Sequence, residues 1–344
     1  MIAVDRQSLI RAAKTVQPAV AKTSNVPSLY GIRLHTDGGM LRLTASNLDS
    51  TISTTVEYDG DPFDVVASAS TLGRLLGAAR APFVELEHAV GSLHVRSGID
   101  ATMPTIADAW PQIGDQVIGD SVVFTAEDME RIGRVVHAAS LDMGRPSLTA
   151  VHLAGRWAEA TDSYRLARCA LEVDVPDVSI PMPVLRFVID GAESPVTFTT
   201  DGKRASFSSG PTTWTTSLIP EEFRDVAPFV EGARRDKTST VVAADLVDLL
   251  GAVLSLGTLD ASSPAVIRAD DGVMSARRSV RGVGEITDTV DASGGMDEIA
   301  VRPDFLVDAV TAAQVDFVEI HSAGPLRPLV VESPGFVALV MPVR

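Results

Sequence analysis

The sequence predicts an α+β protein made of one domain used three times, and three observations predict it. The segments LRLTASNLDSTI (Leu41 to Ile52), RWAEATDSYRLA (Arg156 to Ala167) and VMSARRSVRGVG (Val273 to Gly284) read alike, with Ala45, Ala160 and Ser275 separated by equal steps of 115 residues (160 − 45 and 275 − 160). A helix-like segment at 71–86 returns at 184–198 and again at 305–320. Each repeat also opens with apolar residues at helical spacing and passes into strict alternation, the marks of a helix followed by half-buried strands. A period of this length is the size of a domain with its own core, not of a solenoid unit of ~20–50 residues.

In order along the chain, Leu9, Ile10, Ala13 and Val16 form one face of a first helix, and Leu41, Leu43 and Ala45 alternate as a strand after a Gly38-Gly39 hairpin turn. Ser70 is placed to cap the later helix, and Val84 and Leu86 pair with Leu93 and Val95 across a Gly91-Ser92 turn. The second repeat opens at Thr125-x-x-Asp128, an N-cap with an acidic N3 partner, before Met129, Ile132 and Val136. The third has Leu246, Leu249, Leu250 and Val253, with a further hairpin turn expected at Gly294-Gly295. The Pro- and Gly-punctuated TIADAWPQIGDQ and the polar EGARRDKTST set the boundaries, so the domains are 1–118, 119–237 and 238–344. Antiparallel sheets carrying helices on one side are the layer arrangement these patterns imply.

Composition narrows the class of function. With 45% hydrophobic and 22% charged residues the chain can bury three cores. No apolar run approaches the ~20 residues of a membrane span, and MIAVDRQSLIRAAK has no export pattern, so a cytoplasmic protein without membrane contact is expected. The single Cys169 is expected to be a small core residue. Net charge is −16, which disfavours nucleic acid for the body as a whole. Arg6, Arg11 and Lys14 on the first helix and Arg131 and Arg134 on its counterpart nevertheless allow a basic face on an acidic body. The six histidines have no metal-ligand spacing, and GxSxG, Walker and GxGxxG motifs are missing. His88 and His94 could meet across a hairpin, but without a third ligand they read as surface residues. No catalytic residue, cofactor or metal is expected.

Identical modules in series tend to meet head to tail, and such contacts close into rings when the rotation per step allows. A domain of this size is a sphere of about 34 Å diameter by the usual radius-of-gyration scaling. Three such spheres leave a hole of about 3 Å radius and six leave about 17 Å by the same arithmetic, so a dimer of three-domain chains would admit a DNA duplex.

Four segments in the right order carry a specific resemblance: ATDSYRLA (Ala160 to Ala167), similar to ATDGHRLA; the preceding RPSLTAVHL (Arg145 to Leu153); LIPEEFRDV (Leu218 to Val226), similar to a segment with EFPDY; and VALVMPVR (Val337 to Arg344), similar to an MPMRL ending. On these the chain resembles the beta subunit of bacterial DNA polymerase III, the sliding clamp. The resemblance implies three clamp-fold domains in a head-to-tail homodimer, a six-domain ring encircling double-stranded DNA without regard to sequence. It implies a non-catalytic processivity factor, placed on DNA by a clamp loader, that tethers the DNA polymerase III alpha subunit and other proteins bearing a clamp-binding motif.

Carried over residue by residue, the partner-peptide pocket would comprise Leu148, Thr161, Ser163, Tyr164, Arg165, Leu166, Phe229, Phe305, Leu339, Val340, Met341, Pro342, Val343 and Arg344. Lys22, Arg145 and Lys203 would face DNA, with Arg6, Arg11, Lys14, Arg74, Arg131, Arg134 and Arg186 lining the hole. The dimer contact would bring Ala101 and Met103 against Val253 and Leu254 as paired strand edges. Three departures stand out: Ser163-Tyr164 replaces glycine-histidine, Arg224 replaces a proline, and no apolar residue follows Arg344. The third repeat's first helix carries Asp245 and Asp248 with no basic residue, so its DNA contacts would shift to Arg268, Arg277, Arg278 or Arg281. The alternative reading is a phage-encoded or paralogous clamp with a specialised polymerase, repair or resistance role.

Overall fold

A computed structural model describes residues 1–113, 116–257 and 264–343. The first repeat contains β1 (Ile2–Asp5), α1 (Arg6–Val16), β2 (Gly31–Asp37), β3 (Met40–Ser46), β4 (Ser50–Glu57), β5 (Asp59–Gly60), β6 (Asp64–Ser68), α2 (Ala69–Ala78), β7 (Phe83–Ala89), β8 (Ser92–Arg96) and β9 (Asp100–Pro104). The second contains β10 (Asp120–Phe124), α3 (Ala126–Val135), β11 (Ala150–Thr161), β12 (Arg165–Pro181), α4 (Met182–Gly191), β13 (Val196–Thr200), β14 (Arg204–Ser209), β15 (Thr212–Ser217) and α5 (Ala227–Glu231). The third contains β16 (Lys237–Val242), α6 (Ala243–Leu254), β17 (Ala265–Asp270), β18 (Val273–Val280), β19 (Gly284–Gly294), β20 (Met296–Val301), α7 (Pro303–Ala313), β21 (Phe317–Ser322), β22 (Leu329–Ser333) and β23 (Phe336–Val340).

The strands form antiparallel sheets in the orders β5-β1-β7-β8-β9, β10-β13-β14-β15-β4-β3-β2-β6 and β11-β12-β23-β22-β21-β16-β19-β18-β17-β20. The fold class is thus α+β, as expected. The chain divides into two compact units, Met1–Ala126 with Pro183–Leu218, and Glu127–Met182 with Ile219–Arg344. The first holds two of the sheets with α1, α2 and most of α4; the second holds the third sheet with α3, α6 and α7.

The apolar spacing of the opening helices translates directly into burial. Leu9, Ala13 and Val16 of α1, Met129 and Ile132 of α3, and Leu246, Leu249, Leu250 and Val253 of α6 all face their cores. The helix-like segments each resolve into a helix and then a strand, α2 into β7, α4 into β13 and α7 into β21. Leu41, Leu43, Val84, Leu86, Leu93 and Val95 are fully buried, and Cys169 is a buried free thiol.

Several local expectations change. The α2 cap is Ser68, whose Oγ accepts from the Thr71 N–H at 3.5 Å; Ser70 already lies in the first turn. Gly38 and Gly39, at φ +56° and +83°, make the expected hairpin turn. Gly294-Gly295 does not, because β19 lies between β16 and β18 while β20 pairs with β17. Gly294 is required there by close approach, since a Cβ would lie 2.2 Å from the Thr238 carbonyl oxygen. The β7–β8 register sets His94 opposite Glu87, not His88. Asp128 is buried and accepts from the Glu172 N–H at 3.0 Å.

The repeats recur as geometry. Ala45 pairs with Ile52 on β3–β4, Ala160 with Ala167 on β11–β12, and Ser275 with Thr289 on β18–β19. The third hairpin is longer, so Thr289 takes the place of Ile52 and Ala167. Each of two joints has the same construction: β15 pairs with β4 through Trp214↔Ile52, and β23 pairs with β12 through Ala338↔Ala167. Trp214 is almost wholly buried at the first of these joints. Trp214→Ala should lower stability by about 3–5 kcal/mol, the usual loss for emptying a buried aromatic site, and thermal unfolding followed by tryptophan-independent circular dichroism will measure it.

Candidate partner-docking surface and basic helices

The ATDSYRLA motif folds into a turn built by its own side chains. Asp162 Oδ1 accepts from the Tyr164 and Arg165 N–H groups at 2.8 and 2.9 Å, the Thr161 hydroxyl donates to the Arg165 carbonyl at 2.7 Å, and the Ser163 N–H donates to Thr161 Oγ1. The same bonds recur in Thr200-Asp201-Gly202-Lys203-Arg204. The third residue is left-handed in both, at φ +81° for Ser163 and +82° for Gly202. Only glycine takes that backbone without a steric cost, so Ser163 is a strained substitution in a turn made for glycine. The turn holds Tyr164 out from β12, 63% exposed.

The predicted pocket residues separate into three sets. Tyr164, Phe229 (49% exposed) and Met341 (42% exposed) are the exposed apolar members. Leu148, Pro342 and Val343 are half-buried, and Ser163 is exposed in the turn. The Met341 N–H donates to the Tyr164 carbonyl at 2.9 Å, and the Val343 N–H donates to that of Ala300 at 2.8 Å, tying the chain end to the turn and to β20. Leu166 and Leu339 lie beneath, clustered with Phe223, Val226, Val230, Val330 and Val337. Val340 is fully buried on the opposite sheet face, paired with Arg165, and cannot wall an outward-facing pocket. Thr161 is likewise buried, its hydroxyl used by the turn, and Arg344 lies outside the described residues.

Arg165 is a tie rather than a rim donor. Its guanidinium bonds Asp162 at 3.0 Å and Asp308 of α7 at 2.6 Å, and stacks 4.2 Å from the ring centroid of Phe305, which Arg302 covers from 4.1 Å. Phe305 is therefore buried between two cations. Beside this cluster burial and then the Arg165 charge pull the His137 pKa from 6.5 down to about 4, while its Nδ1 lies 2.9 Å from the Arg134 carbonyl. Arg224, where a proline was expected, stacks over Phe229 at 5.1 Å.

The equivalent face at the other joint has different chemistry. Positions occupied by Leu166, Leu339, Val337 and Val330 at the β12·β23 joint are Thr51, Thr215, Thr213 and Ser206 at the β4·β15 joint. The latter face borders a cleft of about 980 Å³ lined by Thr44, Ser53, Ser208 and Arg42 among others. A face of hydroxyl groups offers an apolar side chain little gain, so the apolar surface occurs at one of the two joints.

The basic residues also separate. Arg6 donates to the Ala79 carbonyl at the end of α2, and Arg134 donates to the Ala312 and Ala313 carbonyls ending α7 at 2.6 and 2.7 Å. Arg278 is buried and donates to the Val253 carbonyl of α6 at 3.2 Å. These three satisfy helix C-termini, which removes Arg134 and Arg278 from any exposed basic face. Arg131 is paired with Glu127 and Glu172, and Arg145 with Asp142 at 3.1 Å. Arg11, Lys14, Lys22, Arg74, Arg186 and Lys203 are exposed, as are Arg268, Arg277 and Arg281 on the β17–β18 strands and the turn after them.

For the expected strand-edge contact, Ala101 and Met103 do lie on β9, the end strand of its sheet. Val253 and Leu254 instead end helix α6, with Val253 fully buried. The open strand near them is β19, which pairs with β16 only over Ala292–Gly294 and leaves Gly284–Asp291 unpaired on that side among the described residues. The sequence signal for it was the extra length of the third hairpin.

Sheets that run on from one repeat into the next, with one amphipathic pair of helices per repeat, define a clamp-type fold. No family model matches the chain. The Beta sliding clamp of Bacillus subtilis (strain 168) is 22% identical over an alignment of 382 residues, covering 99% of this chain and 98% of that protein. The DNA polymerase III beta subunit of Streptococcus pyogenes superposes with a TM-score of 0.89 at 20% identity, covering 100% and 99% of the two chains. The sliding clamp of Bartonella birtlesii bound to griselimycin gives 0.88 at 17%, again over 100% and 99%. The resemblance read from four short motifs thus extends over the whole chain, and the fold is that of the beta sliding clamps.

Two outcomes follow from the turn and the cluster beneath it. Ser163→Gly should raise stability by about 0.5–1 kcal/mol, the left-handed penalty less the entropy of glycine, seen as a higher melting temperature. His137 is neutral when folded, so its contribution is complete above pH 6.5 and is lost as pH falls toward about 4, where the unfolded chain binds the proton and the folded one does not. Melting temperatures measured across that window should decline, and His137→Asn should flatten the decline.

Proposed function

We propose that this chain is a DNA sliding clamp whose homodimer closes a six-domain ring around duplex DNA and tethers the replicative polymerase and other partners to it. The observation that carries this reading is the repeated joint. Two joints within the chain pair the last strand of a repeat with the hairpin strand of the preceding one. The rule leaves one such strand of each kind without a partner, β9 and β19. Two chains in head-to-tail contact satisfy both edges twice and complete six modules. Continuing the register of the internal joints sets Ala101 of one chain against Thr289 of the other, and Thr102 against Asp288. The domains are 1–118, 119–237 and 238–344, with sheets shared across their borders.

Topological linkage explains the mechanism. A ring that cannot fall off a long duplex keeps its partners at high effective concentration, and water-mediated phosphate contacts hold without specifying sequence. Arg11, Lys14, Lys22, Arg74, Arg186 and Lys203 would supply those contacts. Partner peptides, among them those of the DNA polymerase III alpha subunit and the clamp loader, would dock on Tyr164, Phe229 and Met341 with Leu148, Pro342 and Val343 at the border. The chain performs no chemistry of its own in this role. The relatives are named plainly as beta sliding clamps, which favours the general replication role over a specialised one. No helix of the described residues is long and apolar enough to cross a membrane, and a cytoplasmic site suits a replication clamp.

Light scattering should give a dimer of 72.6 kDa, twice 36.3 kDa. Thr102→Asp, which faces Asp288 across the proposed contact, should shift the dimer toward monomer because like charges opposed across strands repel, whereas Thr102→Arg should not; equal behaviour of the two would sink the register. Tyr164→Ala and Met341→Ala should each weaken binding of a fluorescent clamp-binding peptide about tenfold, as anchors of a small interface do, with the dimer mass unchanged.

A further inference from the structure

We propose that duplex DNA inside the ring is carried by the helices of one compact unit, α1, α2 and α4, and is repelled by α6 of the other, so that each protomer holds DNA with one half only. This rests on the sliding-clamp reading. On α1, α2 and α4 there are five cations (Arg6, Arg11, Lys14, Arg74 and Arg186) against one anion, Asp190. On α3, α6 and α7 there are two cations, Arg131 and Arg134, against seven anions: Glu127, Asp128, Glu130, Asp245, Asp248, Asp304 and Asp308.

The disposition of these charges sharpens the contrast. Both cations of the second set are committed, Arg131 to two glutamates and Arg134 to the carbonyls that end α7, whereas in the first set only Arg6 is so committed, to the Ala79 carbonyl. Asp304 and Asp308 are neutralised by Arg302 and Arg165. Asp245 and Asp248 are exposed on α6 and have no cationic partner among the described residues. In the first set Arg11, Lys14, Arg74 and Arg186 are exposed and none of them forms a salt bridge among the described residues. Lys14 also sits in the last turn of α1, where the helix dipole favours a cation. Phosphate oxygens would therefore meet free cations on one set of helices and free carboxylates on the other, and counterions released from DNA would come from contacts with the first set alone.

The test is the binding of the homodimer to a fluorescent DNA duplex, titrated at a series of salt concentrations. Arg11→Ala, Lys14→Ala and Arg74→Ala should each weaken binding and reduce the slope of log K against log salt by about one. Arg131→Gln should leave both unchanged. Asp245→Lys and Asp248→Lys should tighten binding at least threefold and steepen the slope. Aspartate-to-lysine variants that bind like the wild type, or an Arg131→Gln loss equal to that of Arg11→Ala, would overturn the division of labour while leaving the clamp intact. A wild-type protein that stays monomeric and shows no salt-dependent binding would overturn the clamp reading itself, and this proposal with it.

Discussion

The structure depends on the backbone hydrogen-bonding capacity of strand edges. A sheet that ends in an open strand presents a row of unpaired N–H and C=O groups, and each repeat here has two such edges to satisfy. The chain satisfies them by lending the last strand of one repeat to the hairpin strand of the one before, in the same antiparallel register at both internal joints. Side chains can vary widely under that constraint, because the bonds are made by backbone. This accounts for a fold shared with proteins only 17–20% identical in sequence. A module joined in this way is also incomplete alone, which is the physical root of the joints between successive repeats.

A second constraint, the satisfaction of helix ends, decides which charged residues are free. Arg6, Arg134 and Arg278 are spent on the carbonyls that end α2, α7 and α6. From sequence alone Arg6 and Arg134 are indistinguishable from Arg11, Arg74 or Arg186, since all are arginines on helices of like pattern, and Arg278 is indistinguishable from its strand neighbour Arg277. What separates them is the position of another helix's C-terminus, a fact of tertiary packing. The guanidinium fork suits this task because it can reach two adjacent carbonyls at once, as Arg134 does.

Much of the fold was legible because it is periodic. Burial of Leu246, Leu249, Leu250 and Val253 follows from helical spacing, and that of Leu41, Leu43, Val84 and Leu86 from alternation. The failures lie where local pattern does not determine the neighbour. Gly294-Gly295 has the composition of a hairpin turn but marks a crossing between sheet strands, set by the nearby Thr238 carbonyl. The site was legible by motif only in part. Tyr164, Phe229 and Met341 are exposed, but Val340 alternates to the inner face and Phe305 is enclosed by Arg165 and Arg302. A motif fixes which strand carries a residue; the pleat and the partners fix what that residue can touch.

The two joints also explain why a repeated structure need not repeat its function. Backbone pairing makes them alike, so any difference must come from the side chains on the outer sheet face. At one joint these are the hydroxyl-bearing Thr51, Thr213, Thr215 and Ser206; at the other they are Leu166, Val337, Leu339 and Val330, which cluster with Phe223, Val226 and Val230. Transfer of an apolar side chain from water is worth roughly 25 cal/mol per Å², and only the second face provides an apolar setting for it. The turn at Ser163 belongs to that same joint, and it accepts a strained backbone where its twin at Gly202 does not. Strain that the surrounding bonds over-determine tends to persist where a side chain must be aimed, and here it holds Tyr164 exposed at the apolar one of the two joints.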